Sequence, residues 1–364
     1  MVKLILLGLL AGALFSSTFI LNEMMSSAGG HWFWSASLRY LFMWLMLTVI
    51  IAMQQGIGRT NELWVLFRAH WVFWCVTGSI GFGLFYTGIC YAGDHVAGWV
   101  VAATFMFTVV TSLLVLVAFG QRFDKKFILY ALLVFIGVIL VNVSEGLHAA
   151  SIADTASTPM AEMLLYGALP ALIAAFSYPI GNQLVWQVSY NSRQHSAALQ
   201  QARDNNAQNA SDCDNSSNNS HVLSQTRIPR KSMLQMLIAR IPAIETDLLQ
   251  NAFNKVWLMS LGSLPFWLIL GIIVRPELPS SSQVFNTLLV ALLAGVGATS
   301  IFLFAREQAQ TSSEVAGVDS TQASEVIFAL IGGILLLGNT LPTTMGLLGI
   351  GLIIVGLILF AKNG

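Results

Sequence analysis

Apolar residues run along this chain in long blocks separated by short polar stretches. The blocks hold about twenty residues each, enough to cross roughly 30 Å of hydrocarbon as a helix. Ten can be placed, at roughly 2–22, 32–54, 70–92, 95–119, 126–144, 162–185, 254–274, 284–305, 318–338 and 342–361. The pattern predicts an all-α integral membrane protein with ten transmembrane helices. The connections are short except for residues 186–253. The first block, "MVKLILLGLLAGALFSS", has the form of a signal peptide: one lysine, an apolar run, then small residues. Its alternative is an uncleaved first span.

Composition strengthens this reading. Only 9% of the residues are charged and 56% are hydrophobic, whereas soluble domains carry about 25% charge. Net charge is zero, so the chain lacks the basic footprint of a nucleic-acid binder. Cys75, Cys90 and Cys213 have no CxxC spacing and imply neither a disulfide framework nor a zinc site. Positive charge orients the spans. With the N-terminus inside, only Arg275 falls in an outside loop and only Arg39 inside a span; the other Lys and Arg residues fall inside. Both termini are therefore expected in the cytoplasm.

The two halves repeat weakly. "SSTFILNE" (Ser16–Glu23) fits "FSYPIGNQ" (Phe176–Gln183), pairing Ser17 with Ser177 and Asn22 with Asn182. "GSIGFGLFYTGICYA" from Gly78 fits "GVGATSIFLFAREQA" from Gly295; Gly120 fits Gly338, and Gly137 fits Gly356. The register between the halves jumps once, at the long loop. The predicted division is a first five-span repeat over 1–145, a second over 162–362, and a partly disordered cytoplasmic insertion over 186–253 within the second. Five spans per copy is an odd number, so consecutive copies cross the membrane in opposite directions. Inverted repeats around a midplane site are a plan of secondary transporters. The match in span one also favours its retention over signal cleavage.

Ten spans as two inverted fives, short hairpin loops and glycine-rich fifth and tenth spans resemble the drug/metabolite transporter superfamily. The opening "LLGLLAGALFSSTFILNEMMSSAGGHWFWSASLRY" (Leu6–Tyr40) resembles, more specifically, its multidrug resistance efflux transporter branch. The likeness covers all ten spans, with residues 190–250 as an insertion. It implies secondary transport more firmly than any one substrate, because the superfamily holds exporters of drugs, amino acids and other metabolites.

Ionisable residues inside spans are costly and are candidates for function. Arg39 lies about seven residues, roughly 10 Å, below the outer end of span two. It either pairs with Glu23, at the outer end of span one, or offers an anion site in a cavity. Glu23 resembles the membrane glutamate that small multidrug exporters use for proton exchange, although it sits at the end of its span. In span nine, Asp319, Gln322 and Glu325 recur every third residue and form a polar stripe that must face protein or water. Glu325 can trade a proton for substrate there, or make a structural contact with Arg306. Glu325 and Glu23 are thus the candidate proton-coupling residues. Arg39, Trp99, Thr104, Thr108 and Gln322 are the candidate substrate-binding residues.

The alternatives for these are plain. Thr104, Thr108 and Thr111 can bond to helix carbonyls or neighbours. Trp71, Trp74 and Trp99 can stack on a substrate or hold a cation, while Trp32, Trp34, Trp64 and Trp257 fit an interfacial belt. The histidines do not cluster as metal ligands, no Ser or Cys joins a triad, and no glycine loop cradles phosphate. No cofactor, metal or enzymatic activity is expected. Residues 200–221 read as disordered, and Ser232–Phe253 as an amphipathic helix on the cytoplasmic surface, interrupted at Pro242.

The sequence therefore reads as a bacterial inner-membrane secondary exporter of lipophilic drugs or toxic compounds, working by proton antiport. The substrate cavity is expected between spans one to four and six to nine, with span five against span ten at the rim or in a homodimer contact. The partners are a small molecule, protons and the bilayer. An exporter or exchanger of an anionic or zwitterionic metabolite is the alternative within transport. A membrane sensor or scaffold is the alternative outside it.

Overall fold

The computed structural model describes residues 2–119, 125–152, 159–211, 241–308, 314, 317–319 and 321–363. Among these the chain is helical and no strand occurs. Ten helices are long and apolar enough to cross a membrane: Val2–Ser27, Trp32–Gln55, Trp71–Gly93, Gly98–Ala118, Lys125–His148, Met160–Ser192, Ala252–Val274, Ser281–Arg306, Gly317–Leu337 and Thr344–Lys362. They match the ten apolar blocks one for one and are called spans one to ten below.

Lipid tails offer no hydrophobic drive for helix association, so close packing must hold the bundle, and small residues permit it. Gly78 of span three and Gly262 of span seven set two backbones against each other. A Cβ on Gly262 would overlap the Trp74 carbonyl, and one on Gly78 the Met259 carbonyl. Gly81 and Gly181 bring spans three and six together in the same way. In span one, Gly8 faces Thr321 and Gly12 faces Ser324. This first helix, which reads so much like a leader, is packed into the bundle against spans eight and nine. Spans five and ten lie against each other, with Gly137 and Gly349 at each other's carbonyls and Val134, Val138 and Ile353 buried between them.

Several spans are not continuous α-helix. Span three widens to π-helix over Ser79–Leu84, span six over Met163–Ala168 and span eight over Ala291–Ala298. Span four breaks at Met106 and Phe107, between helices Gly98–Phe105 and Thr108–Ala118. Span nine begins with the 3-10 turn Thr321–Ala323 before helix Ser324–Leu337. Between spans two and three, Gly56 turns the chain at φ 88° into a short helix, Ile57–Ala69. That conformation is strained for any residue with a Cβ.

The long connection differs from its sequence reading. The helix begun at Leu169 continues to Ser211, through the first half of the stretch read as disordered, which is rich in Ala and Gln, residues of good helix propensity. Residues 212–240 lie outside the described residues, and with them the first nine residues of the predicted amphipathic helix. Its remainder, 241–253, is not an amphipathic helix: 241–247 is irregular, Leu248–Gln250 is a single 3-10 turn and span seven begins at Ala252. Residues 241–247 form a strap, with Ile244 buried in the core and Leu248 and Leu249 buried just after it. The strap is tied by Asn191 Nδ2 to the Ile241 carbonyl (3.0 Å), by Asn254 Nδ2 to the Leu248 carbonyl (2.9 Å) and by Arg59 to Asp247 (2.6 Å). The Arg59 guanidinium holds the exposed Asp247 carboxyl below its usual range.

Candidate functional site

A cavity of about 1650 Å³ lies inside the bundle. Every span except the fifth lines it, so the sequence expectation needs one addition, the end of span ten through Leu357 and Phe360. The cavity reaches the end of the bundle that holds the strap, Lys255, Arg306 and Asp319. The side chains of Asp247 and Arg306 are more than half exposed there, so this is the mouth.

The opposite end is closed by hydrogen bonds. Gln283 Nε2 donates to the His31 carbonyl (2.8 Å) and to Ser35 Oγ (3.0 Å). Trp34 Nε1 donates to the Glu277 carbonyl (2.6 Å). Glu23 accepts from the Gly98 backbone N–H (2.6 Å) through one carboxylate oxygen and from Asn339 Nδ2 (2.7 Å) through the other. A carboxylate at a helix N-terminus complements its unpaired N–H groups and dipole. Glu23 thereby joins span one to the start of span four and to the connection after span nine.

Glu23 is therefore not the partner of Arg39. Arg39 Nη1 donates to Thr18 Oγ1 (3.3 Å), and the guanidinium lies 4.1 Å from the Tyr86 ring centroid and 5.9 Å from that of Tyr40. Asn22 donates to the Tyr86 hydroxyl (3.3 Å), and Tyr40 stacks on Phe82 and Trp267. The cation is held by aromatic faces on the cavity wall, 8% exposed. No carboxylate is within ion-pair distance of it among the described residues. The pairing with Glu23 fails because Glu23 is turned away to Gly98 and Asn339.

On span nine, Asp319, Gln322 and Glu325 all line the cavity. Gln322 lies in the 3-10 turn Thr321–Ala323, where i and i+3 fall in line, and Glu325 follows in the α-helix from Ser324. Arg306 pairs with Asp319 (3.2 Å), so the structural contact weighed for Glu325 goes to Asp319 instead. Glu325 is 9% exposed and has no ion pair or hydrogen bond among the described residues.

Span four divides the other candidates. Thr108 follows the break at Met106 and Phe107 and lines the cavity; its Oγ1 has no hydrogen-bond partner among the described residues. Thr104 precedes the break and faces span five, where it accepts from Asn142 Nδ2 (2.9 Å). Thr111 donates to the Ala175 carbonyl of span six. The interruption rotates one half of span four relative to the other, so a single helical face through 104, 108 and 111 does not exist. Trp99 is likewise not on the main cavity. It sits in the first turn of span four, buried, and lines a separate 140 Å³ pocket at the closed end with Glu145, His148 and Asn339. Trp74 is buried in the core, and so is Trp257, which donates to Thr48 Oγ1 (2.7 Å) and is no interfacial anchor. Trp71 and Trp64 are exposed.

The sequence reading missed several residues of the site. Tyr40, on the wall, and Tyr86, buried behind Arg39, carried no signal beyond being aromatic in apolar blocks. Tyr178 and Asn182 lie in "FSYPIGNQ", the stretch compared above with Ser16–Glu23, and both line the cavity.

The closed end gives a direct prediction. Cys90 is buried near it, 2% exposed. Glu23→Ala removes two charge-assisted hydrogen bonds, each worth roughly 1.5–3 kcal/mol. With Cys75 and Cys213 changed to serine, labelling of Cys90 by a water-soluble thiol reagent is expected to rise about tenfold or more over the same background with Glu23. Unchanged labelling would show that Glu23 does not hold this end shut.

Apolar helices around a solute-sized cavity, open at one end and hydrogen-bonded shut at the other, define a multi-pass membrane protein of the transporter class. The chain belongs to the family described as "Putative multidrug resistance efflux transporter", which it matches over residues 2–363. It is 30% identical to the "Uncharacterized protein YjlA" of Bacillus subtilis (strain 168), over 98% of this chain and 94% of that one. It is 29% identical to an "Uncharacterized 42.1 kDa protein in intracellular alkaline protease 3'region" of Shouchella clausii, over 84% of this chain and 65% of that one. A solved structure titled "Crystal structure of protein" shares the fold, with a TM-score of 0.51 and 11% identity over 99% of this chain and 96% of its own.

Proposed function

We propose that the protein is a secondary exporter that moves lipophilic or toxic small organic molecules across a bacterial inner membrane in exchange for protons. The observation that carries this is Glu325, a carboxyl on the cavity wall with no partner among the described residues. Such a group can hold either a proton or a cationic solute, and that competition is what couples two fluxes. Gln322 offers a polar contact on the same wall.

The excess of Lys and Arg in the short connections at the mouth supports placing that end, with both termini, in the cytoplasm. In that orientation the cavity is open inward and Glu23 closes the outer side. The inverted repeat supplies the way to reverse this. When Gly120 is set on Gly338, the break of span four at Met106 falls on Ser324, beside the 3-10 turn of span nine. Interrupted helices at corresponding places in two repeats point to a binding site between them.

The test is uptake into everted membrane vesicles acidified inside. Vesicles holding the protein are expected to accumulate tetraphenylphosphonium or a small apolar peptide, and to lose the accumulation when a proton ionophore collapses the gradient. Uptake no greater than in vesicles lacking the protein would overturn the reading in favour of a sensor or scaffold.

A further inference from the structure

The cavity wall carries two charge-bearing side chains that have no ion-pair partner among the described residues, and they are of opposite sign. Arg39 is fixed by Thr18 and the ring of Tyr86, with its Nε lacking any hydrogen-bond partner among the described residues. Glu325 stands on another span with no hydrogen bond or ion pair among the described residues. No ion pair joins them among the described residues, and Tyr178, on span six, lines the same cavity.

Their depths differ. Arg39 is seven residues into span two from its start at Trp32, and Glu325 eight residues into span nine from Gly317, which begins at the other end of the bundle. At 1.5 Å per residue these are roughly 10 and 12 Å from opposite ends of a layer about 30 Å thick. About 8 Å of depth separates them, with Arg39 toward the closed end and Glu325 toward the mouth. The same wall is aromatic, through Phe82, Phe85 and Phe105 as well as Tyr178.

We infer that the cavity is built for amphoteric solutes: molecules with an apolar body, an anionic group at one end and an amine several bonds away. The anion seats on the Arg39 guanidinium, whose planar fork suits a carboxylate or phosphate. The ammonium seats at Glu325, where it displaces a proton. The solute enters anion first. A permanent lipophilic cation suits this cavity less well, because Arg39 repels it and no carboxylate pairs with Arg39 among the described residues. A plain α-amino acid also fits poorly, since its two charges flank one carbon and cannot reach both walls.

The inference rests on the reading of the cavity as a transport site, and one probe series separates the two. Leucyl-alanyl-phenylalanine carries both charges far apart; its C-terminal amide keeps only the cation, its N-acetyl form only the anion, and phenylalanine has both on one carbon. Binding of each, and of tetraphenylphosphonium, is measured by calorimetry on the purified full chain in nanodiscs near neutral pH. The tripeptide is expected to bind at least tenfold more tightly than its amide, its N-acetyl form or phenylalanine. Arg39→Gln should remove its advantage over the amide, Arg39→Lys should keep part of it, and Glu325→Gln should remove its advantage over the N-acetyl form. The wild-type ranking is decisive even if a variant does not fold. Tetraphenylphosphonium or the amide binding as tightly as the tripeptide would overturn the amphoteric assignment. If tetraphenylphosphonium is also accumulated by acidified vesicles, the transport reading stands without it. No binding of any probe, with no uptake, would overturn both.

Discussion

Glu325→Gln is expected to reduce proton-driven accumulation in acidified everted vesicles to the level of vesicles without the protein. The amide keeps the size and much of the polarity of the carboxyl but cannot exchange a proton. In this account Glu325 is the group on which proton and solute compete, so its loss uncouples the two fluxes rather than slowing them. The variant should elute and melt like the wild type, because Glu325 makes no ion pair or hydrogen bond among the described residues whose removal would weaken the fold. Glu325→Asp should retain measurable, slower accumulation. Full activity in Glu325→Gln would move the coupling group elsewhere. Asp319 is a poor substitute for it, being engaged with Arg306 at the mouth.

The second large effect is on stability. Gly262→Val is expected to destabilise the bundle by about 3 kcal/mol or more, at or above the upper end of ordinary overpacking. The valine would have to displace the backbone carbonyl of Trp74, not the tip of a flexible side chain. Trp74 is itself buried, so span three cannot yield without disturbing the wall that holds Tyr86. Gly351→Ala is the control. It lies in span ten with no atom within 4 Å of an added Cβ, and alanine there should be neutral or gain roughly 0.5–1 kcal/mol from its better helix propensity. Thermal melting and the yield of monodisperse protein would rank the two. A Gly262→Val variant as stable as the Gly351→Ala control would mean that spans three and seven do not depend on this contact.

The number and order of the spans were legible because twenty-residue apolar blocks leave few alternatives. The stripe of Asp319, Gln322 and Glu325 was legible for a related reason: a polar period within an apolar helix has to face something other than lipid. A 3-10 turn at Thr321–Ala323, in the middle of the stripe, is a local geometry compatible with the spacing of three. Other features were not legible. Arg39 and Glu23 are near one another in sequence and at compatible depths, yet backbone N–H groups at the start of span four compete for the carboxylate. No pattern in residues 16–40 announces that Gly98 will be there. Thr104 and Thr108 look equivalent on a helical wheel until the break at Met106 and Phe107 turns one toward span five and the other to the cavity. Trp99 was misplaced because the start of span four falls at Gly98, which puts Trp99 in the first turn at the closed end. The strap over 241–247 carried the charged, apolar mixture of an amphipathic helix, and tertiary contacts through Arg59, Asn191 and Asn254 gave it another use.

The central claim is that a solute and a proton compete for one carboxyl in the cavity. It is tested most directly by adding leucyl-alanyl-phenylalanine or tetraphenylphosphonium to the purified protein in weakly buffered solution and following pH, beside Glu325→Gln. The account predicts a saturable release of protons on binding that is absent in the variant. Saturable binding without proton release, or the same release from Glu325→Gln, would contradict it.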